Sequence, residues 1–213
     1  DLHCVTRRQR QMCIRYSNKI KEDNITHTAT QTLVKEILRF NKAHNIVGRF
    51  TEKEIISLDV FDCETILQHI PAKKEILDIG SGAGLPGLII AIHQPKSNVT
   101  MSEKNKKKAY FIKKIIRTLG LENAKILDEA ITPSFIIKKK FDIITARALA
   151  TAPKITQMSK HLLAKNGKFL LLKGALEKIN EEVAQLDNNT YSYTIHRTNI
   201  THTNRHILEI NPK

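Results

Sequence analysis

The chain has 213 residues, a formal net charge of +14 and 41% hydrophobic side chains. That length suits one ordinary domain with a small appendage, and the absence of any apolar run of about 18 residues argues against a transmembrane helix. Three cysteines, Cys4, Cys13 and Cys63, form an odd set without C-x-x-C spacing. This disfavours a disulfide framework or a cysteine zinc site and points to a reducing, cytoplasmic setting.

Asp1 to Arg15 is basic but lacks the apolar centre of a secretion signal. Residues 1–70 read as an N-terminal helical region. Thr28 to His44 places Leu33, Ile37, Leu38 and Phe40 near one face at helical spacing, and Asn45 ends that helix. Thr51 with Glu54 forms a capping-box pattern for a short helix, Glu52 to Leu58. Asp59 or Asp62 starts another, and Pro71 closes the region.

From there the pattern changes to alternating strand and helix. Glu75 to Ile79 reads as a buried strand, Gly80 to Gly87 as a glycine-rich turn, and Leu85 to His93 as an apolar helix with Pro86 in its first turn. Val99 to Ser102 is a second strand. Lys104 to Leu119 is a basic amphipathic helix ended by Gly120. Strands follow at Lys125 to Leu127 and Phe141 to Thr145, then a helix from Ala152 to Leu163. Asn166-Gly167 reads as a turn before a strand at Lys168 to Leu172, and Leu176 to Leu186 as a helix. Thr190 to Arg197 and Arg205 to Ile210 alternate as a closing antiparallel pair. This order predicts an α/β fold with a mostly parallel sheet covered by helices on both faces.

The charge is unevenly spread. Residues 104–178 hold 18 Lys and Arg against five Asp and Glu, a net of +13, while the first 75 residues carry a net of only +3. One basic surface facing a polyanion accounts for this, although a solvated helix face in a lysine-rich chain has the same composition. Lys106, Lys107 and Lys108 are the densest part of that surface.

The sharpest motif is Leu77-Asp78-Ile79-Gly80-Ser81-Gly82-Ala83-Gly84, which joins the first strand to a helix. Ligands of open α/β sheets bind beyond the carboxyl ends of such strands. A dinucleotide turn requires glycine at the sixth position of G-x-G-x-x-G, where this chain has Leu85. That favours S-adenosyl-L-methionine, which has no pyrophosphate to seat on the helix. Asp78 can reach the methionine end of such a ligand or fix the turn. Glu103, just after the second strand, can accept both ribose hydroxyls, or can serve as a helix N-terminal carboxylate.

These residues, together with Phe40-Asn41-Lys42-Ala43-His44-Asn45-Ile46, Gly84-Leu85-Pro86-Gly87, Leu121-Glu122-Asn123, Thr145-Ala146-Arg147-Ala148, Leu172-Lys173-Gly174 and Arg205-His206, resemble the bacterial 16S ribosomal RNA guanine-N7 methyltransferases, the glucose-inhibited division protein B family. The resemblance covers about residues 30–210. It implies a class I (Rossmann-like), seven-stranded methyltransferase domain over 71–213. It also implies methyl transfer from S-adenosyl-L-methionine to N7 of one guanine, on 16S ribosomal RNA or the assembling small subunit. Carried over, Asp78, Gly80, Gly82, Gly84, Leu85, Glu103, Ala130, Ile131 and Arg147 belong to the cofactor site. Arg147 positions cofactor or substrate, and Lys107, Lys108 and Lys173 face RNA beside Lys106. The chain departs from the family pattern at Glu129, where an arginine is usual, and at Asp59, where a histidine usually precedes the aspartate kept here as Asp62.

Independent chemical readings agree. The Asn/Asp-Pro-Pro-aromatic run used on exocyclic amines is absent after the fourth strand, and no cysteine lies where a pyrimidine C5 reaction needs a nucleophile. Guanine N7 needs no general base, so no catalytic proton relay and no metal are expected. The nine histidines show no metal-ligand spacing; His202 and His206 are four apart but lie in a strand pattern. Arg147 is otherwise read as a helix-start residue paired with Asp78 or Glu103. The rival readings are a non-catalytic RNA-binding protein on a methyltransferase fold, another methyltransferase with a small-molecule or protein substrate, and a nicotinamide enzyme. Nothing in the sequence suggests an obligate dimer or a membrane partner.

Overall fold

A computed structural model describes residues 7–198 and 204–213, with side chains from residue 23 onward. The readings at Cys4, Cys13, His202 and most of the basic N-terminus lie outside the described positions. Seven strands form one sheet in the order β3-β2-β1-β4-β5-β7-β6. The strands are β1 (Glu75–Ile79), β2 (Asn98–Ser102), β3 (Ala124–Leu127), β4 (Phe141–Arg147), β5 (Leu163–Lys173), β6 (Tyr191–Arg197) and β7 (His206–Pro212). The pairs from β3 through β5 are parallel, and β7 is antiparallel to both β5 and β6. The helices are α1 (Arg7–His44), α2 (Glu52–Glu54), α3 (Phe61–Glu64), α4 (Gly87–His93), α5 (Lys106–Leu119), α6 (Ala152–Ser159) and α7 (Leu176–Val183). Among the described residues no helix is long and apolar enough to cross a membrane.

Most of the expected elements are present, with instructive shifts. The first helix starts at Arg7 rather than Thr28, and Asn45, at φ 46°, ends it in the left-handed region. The capping box of Thr51 and Glu54 forms as read. The helix it opens does not stop at Leu58. A π-helical segment, Ile55–Val60, carries it into α3. Asp59 and Asp62 therefore sit inside helical backbone, buried, and neither starts a helix. The expected turn at Asn166-Gly167 lies within β5, and the helix from Ala152 ends at Ser159 with a 3₁₀ turn, Lys160–Leu162.

The N-terminal helices and one sheet face share a core. Leu33, Val34 and Ile37 of α1, with Ile55, Val60 and Ile66, pack among Leu88, Ile89, Phe111 and Ile115 of α4 and α5. Lys114 pairs with Glu36, tying α5 to α1. The opposite face packs Leu77, Ile144 and Phe169 against α6 and α7. Asn123 donates to the carbonyls of Ala91 and Ser97, each at 3.0 Å, and so pins the end of α4 to the strands beside it.

Between β1 and α4 the chain turns under one carboxylate. Asp78 is fully buried, and its Oδ2 accepts the Gly87 N–H at 3.0 Å. A Cβ at Gly87 would stand 2.8 Å from that oxygen, so only glycine permits the approach. Asp78 Oδ1 has no hydrogen-bond partner among the described residues. Burial pushes its pKa up to about 6, partly offset by the Ser81 hydroxyl and the Gly87 N–H.

Two outcomes follow. Ile37→Ala will lower unfolding free energy by about 2–5 kcal/mol within a single denaturation transition, because α1 and the sheet share one core. Two separated transitions would contradict that shared core. The second concerns pH. A carboxyl pKa raised from 3.8 to about 6 makes the native state bind more protons than the unfolded chain across that window. The contribution of Asp78 to stability therefore falls as pH rises from 3.8 to about 6, by up to about 3 kcal/mol, and then levels. Asp78→Asn, which retains an acceptor for Gly87, will lack that decline in urea titrations at successive pH values.

Candidate functional site

The carboxyl ends of β1, β4 and β5 open into a cleft of about 640 Å³, within the range of small-ligand sites. One wall is the glycine turn: Gly80, Ser81, Gly82, Ala83 and Leu85 line the cleft. Gly80 and Gly82 hold φ of 66° and 60°, which suits residues without a Cβ. The Ser81 N–H donates to Ser102 O at 3.0 Å, and Gly84 and Leu85 N–H both donate back to Ser81 O, closing the turn over β1 and β2. The loop after β4 lies above it, and a Cβ on Gly80 would approach Leu149 Cδ1 to 2.6 Å.

Glu103 stands at the end of β2 and is 8% exposed. Its Oε2 accepts the Gly82 N–H at 2.9 Å and its Oε1 accepts the Asn105 N–H at 2.8 Å. One carboxylate thus joins the glycine turn to the start of α5, and each oxygen retains a second lone pair. An open backbone at Gly82, where a built Cβ meets nothing within 4 Å, and an acidic acceptor beside it fit an adenosine ligand.

The opposite wall is ionic. Arg147, at the end of β4, donates to Asp59 Oδ1 at 2.8 Å and lies 3.6 Å from Asp62 Oδ2. Arg49 reaches Asp59 at 3.5 Å, and Arg205, entering β7, reaches Asp62 at 3.7 Å. Asn41 folds the segment that carries Arg49: its amide donates to Arg49 O at 2.8 Å and accepts from Val47 N–H at 3.0 Å. Burial raises the Asp62 pKa, opposed by the guanidinium groups of Arg205 and Arg147. Arg147 therefore pairs with Asp59 and Asp62, and the expected pairing with Asp78 or Glu103 does not form.

The expected site residues separate into groups. Gly80, Gly82, Leu85, Arg147 and Lys173 line the cleft. Asp78 and Gly84 are buried in and beneath the turn. Glu103 sits beside it. Ala130 is exposed on the connection after β3, whereas Ile131 is buried in the core of the far sheet face. Lys173 has a side chain only 10% exposed, paired with Glu182 at 2.7 Å and bonded to Ala150 O at 2.9 Å. It anchors the loop above Gly80, aided by Glu182 accepting the Ala152 N–H at 2.7 Å. On α5, Lys106 is exposed and paired with Asp128 at 2.9 Å, while Lys107 and Lys108 carry no ion pair among the described residues. Lys106 and Lys107 with Tyr110, Lys113 and Arg117 form an exposed stripe outside the cleft, while Lys108 is half-buried. The sequence reading did not assign Arg49, Glu182 or the paired Asp59 and Asp62 to the cleft. No local pattern marks them, because their partners lie far away in the chain.

The comparisons agree with this architecture. A family model described as rRNA small subunit methyltransferase G matches residues 26–210. Proteins named ribosomal RNA small subunit methyltransferase G include one from Psychrobacter arcticus, 34% identical over 84% of this chain and 73% of its own length. Another, from Brachyspira hyodysenteriae, is 32% identical over 91% of this chain and 95% of its own. Among solved structures, a SAM-dependent methyltransferase from Aquifex aeolicus superposes with a TM-score of 0.55 at 17% identity, covering 77% of this chain and 99% of that one. A methyltransferase from Streptococcus mutans in complex with SAH gives 0.52 at 10% identity, covering 71% and 95%. At these identities the structural matches establish the fold, a seven-stranded class I methyltransferase sheet. With the family model spanning nearly all of its described residues, the chain belongs to the rRNA small subunit methyltransferase G family.

Proposed function

We propose that this protein transfers a methyl group from S-adenosyl-L-methionine to N7 of a guanine in 16S ribosomal RNA, in the small subunit or its precursor. The observation that carries the reading is the cleft itself. A glycine turn with Glu103 at its side forms one wall, and the ion-paired Arg147 faces it across the opening. Bound on the glycine turn, S-adenosyl-L-methionine supplies an electrophilic methyl carbon. Gly80, Gly82 and Leu85 hold its amino-acid end against the carboxyl edge of β1, and Glu103 accepts from the ribose. Arg147, fixed by Asp59 and Asp62, aims its remaining N–H groups at the substrate.

The cleft lining is compatible with that atom. Its acidic members, Asp59, Asp62 and Glu182, are all engaged with Arg or Lys, and among the described residues no histidine or cysteine lines it. Guanine N7 carries a lone pair and no proton, so its attack requires alignment rather than a base. Alignment of this kind can lower a barrier by roughly 7–11 kcal/mol. The lone pair forms the N–C bond, the sulfur keeps the electron pair of the broken bond, and the positive charge passes to the purine ring.

The exposed stripe of α5 provides phosphate contacts to the RNA around that base. Aromatics make up only 5% of the chain, so recognition rests on phosphates and RNA shape more than on stacking. The rRNA substrate is what distinguishes this reading from a small-molecule methyltransferase, and the positive balance over 104–178 supports it.

Calorimetric titration with S-adenosylhomocysteine should show micromolar binding, absent with NAD and lost in Gly80→Asp, whose side chain would collide with Leu149. Labelled methyl groups should appear at a guanine N7 of the small-subunit RNA; label confined to another atom or another RNA would overturn the proposal. Lys107→Ala with Lys108→Ala should weaken RNA binding and reduce the slope of log K against log salt by about 1 per lost contact, with S-adenosylhomocysteine affinity unchanged. An unaltered slope would make these lysines a solvated face only.

A further inference from the structure

We infer that His69, His196 and Glu209 form a site for one divalent transition-metal ion, zinc by the character of the ligands, away from the methyl-transfer cleft. Glu209 on β7 stands opposite Thr194 in register, so His196, two residues along β6, is its diagonal neighbour on the same sheet face. His196 Nε2 lies 3.3 Å from Glu209 Oε2. The 3₁₀ turn Leu67–His69, at the close of the N-terminal helices, brings a second imidazole over them, with ring centroids 4.4 Å apart. His69 Nε2 is buried and has no hydrogen-bond partner among the described residues. The three ligand atoms all lie within 4.8 Å of one another.

Two imidazoles and a carboxylate are a zinc set. Around a tetrahedral ion with bonds of about 2.0–2.2 Å, neighbouring ligand atoms stand roughly 3.3–3.5 Å apart. The His196–Glu209 edge already has that length, and a side-chain rotation of His69 closes the remainder. Asn211 donates to Glu209 Oε1 at 3.3 Å, orienting the carboxylate from outside. Lys168 now rests its ammonium 3.2 Å from Glu209 Oε2, and its side chain is 24% exposed. The ion takes that place and the flexible lysine swings to solvent. The fourth position is left to water.

Bound there, the ion joins the turn that ends the N-terminal helical region to the edge hairpin of β6 and β7. His69 and His196 are remote in sequence, so local ligand spacing could not reveal them.

The test uses the purified full chain, freed of metal by chelator dialysis and titrated with Co²⁺, then Zn²⁺, by visible absorbance and calorimetry. The expected result is one equivalent of cobalt with the spectrum of a four-coordinate site, displaced by zinc. Zinc should raise the melting temperature of the wild type. His69→Gln and His196→Gln, confirmed as folded by circular dichroism and S-adenosylhomocysteine binding, should lose both the spectrum and the thermal shift. The proposal is overturned if the wild type binds no stoichiometric cobalt, or if binding persists in both variants, which would place the metal on other histidines.

Discussion

The contact between the Asp78 carboxylate and the Gly87 N–H governs the geometry of the site. It bridges the last turn of β1 backbone to the first residue of α4 across the glycine turn, inside a core that excludes water. Keeping a carboxyl there with one oxygen unpartnered among the described residues is costly, and burial pushes its pKa up. The turn is consequently held from beneath, and Gly80 and Gly82 present bare backbone toward the cleft. Glu103 completes the restraint from the β2 side by accepting the Gly82 N–H. A turn fixed on two sides is a preorganised surface, which suits a reaction that depends on alignment rather than proton transfer.

The facing wall follows a different logic. Arg49, Asp59, Arg147, Asp62 and Arg205 come from the loop after α1, the helical segment before β1, the end of β4 and the start of β7. Two carboxylates among three guanidinium groups leave excess positive charge at the cleft. Such half-buried networks contribute little net stability, because desolvation offsets attraction. Their value is positional: Arg147 cannot relax toward solvent while Asp59 and Asp62 hold it. Where the family pattern has histidine, this chain's Asp59 supplies the shortest of those contacts.

Lys173 and Glu182 show how similar charges serve another end. Their pair, with the carbonyl of Ala150 and the N–H of Ala152, ties down the loop whose Leu149 covers Gly80. The cleft is therefore bounded by two anchored elements and by the ionic wall. The exposed lysines of α5, Lys106 and Lys107, lie outside it, apart from the glycine turn.

The strand–helix alternation, the capping box at Thr51, the glycine turn and Glu103 were legible in the sequence because each depends on neighbours a few residues apart. Periodicity, turn chemistry and helix capping are local properties, so the α/β class and the position of the glycine turn followed from them. The same reading missed that the helix from Glu52 runs on through a π-helical segment, since Asp59 and Asp62 resemble helix starts until their arginine partners are known. Nor did it show that Lys173, read as facing RNA, is held in an ion pair with Glu182. Which charges are spent inside the protein and which remain for a ligand depends on contacts between distant segments, and packing alone decides those.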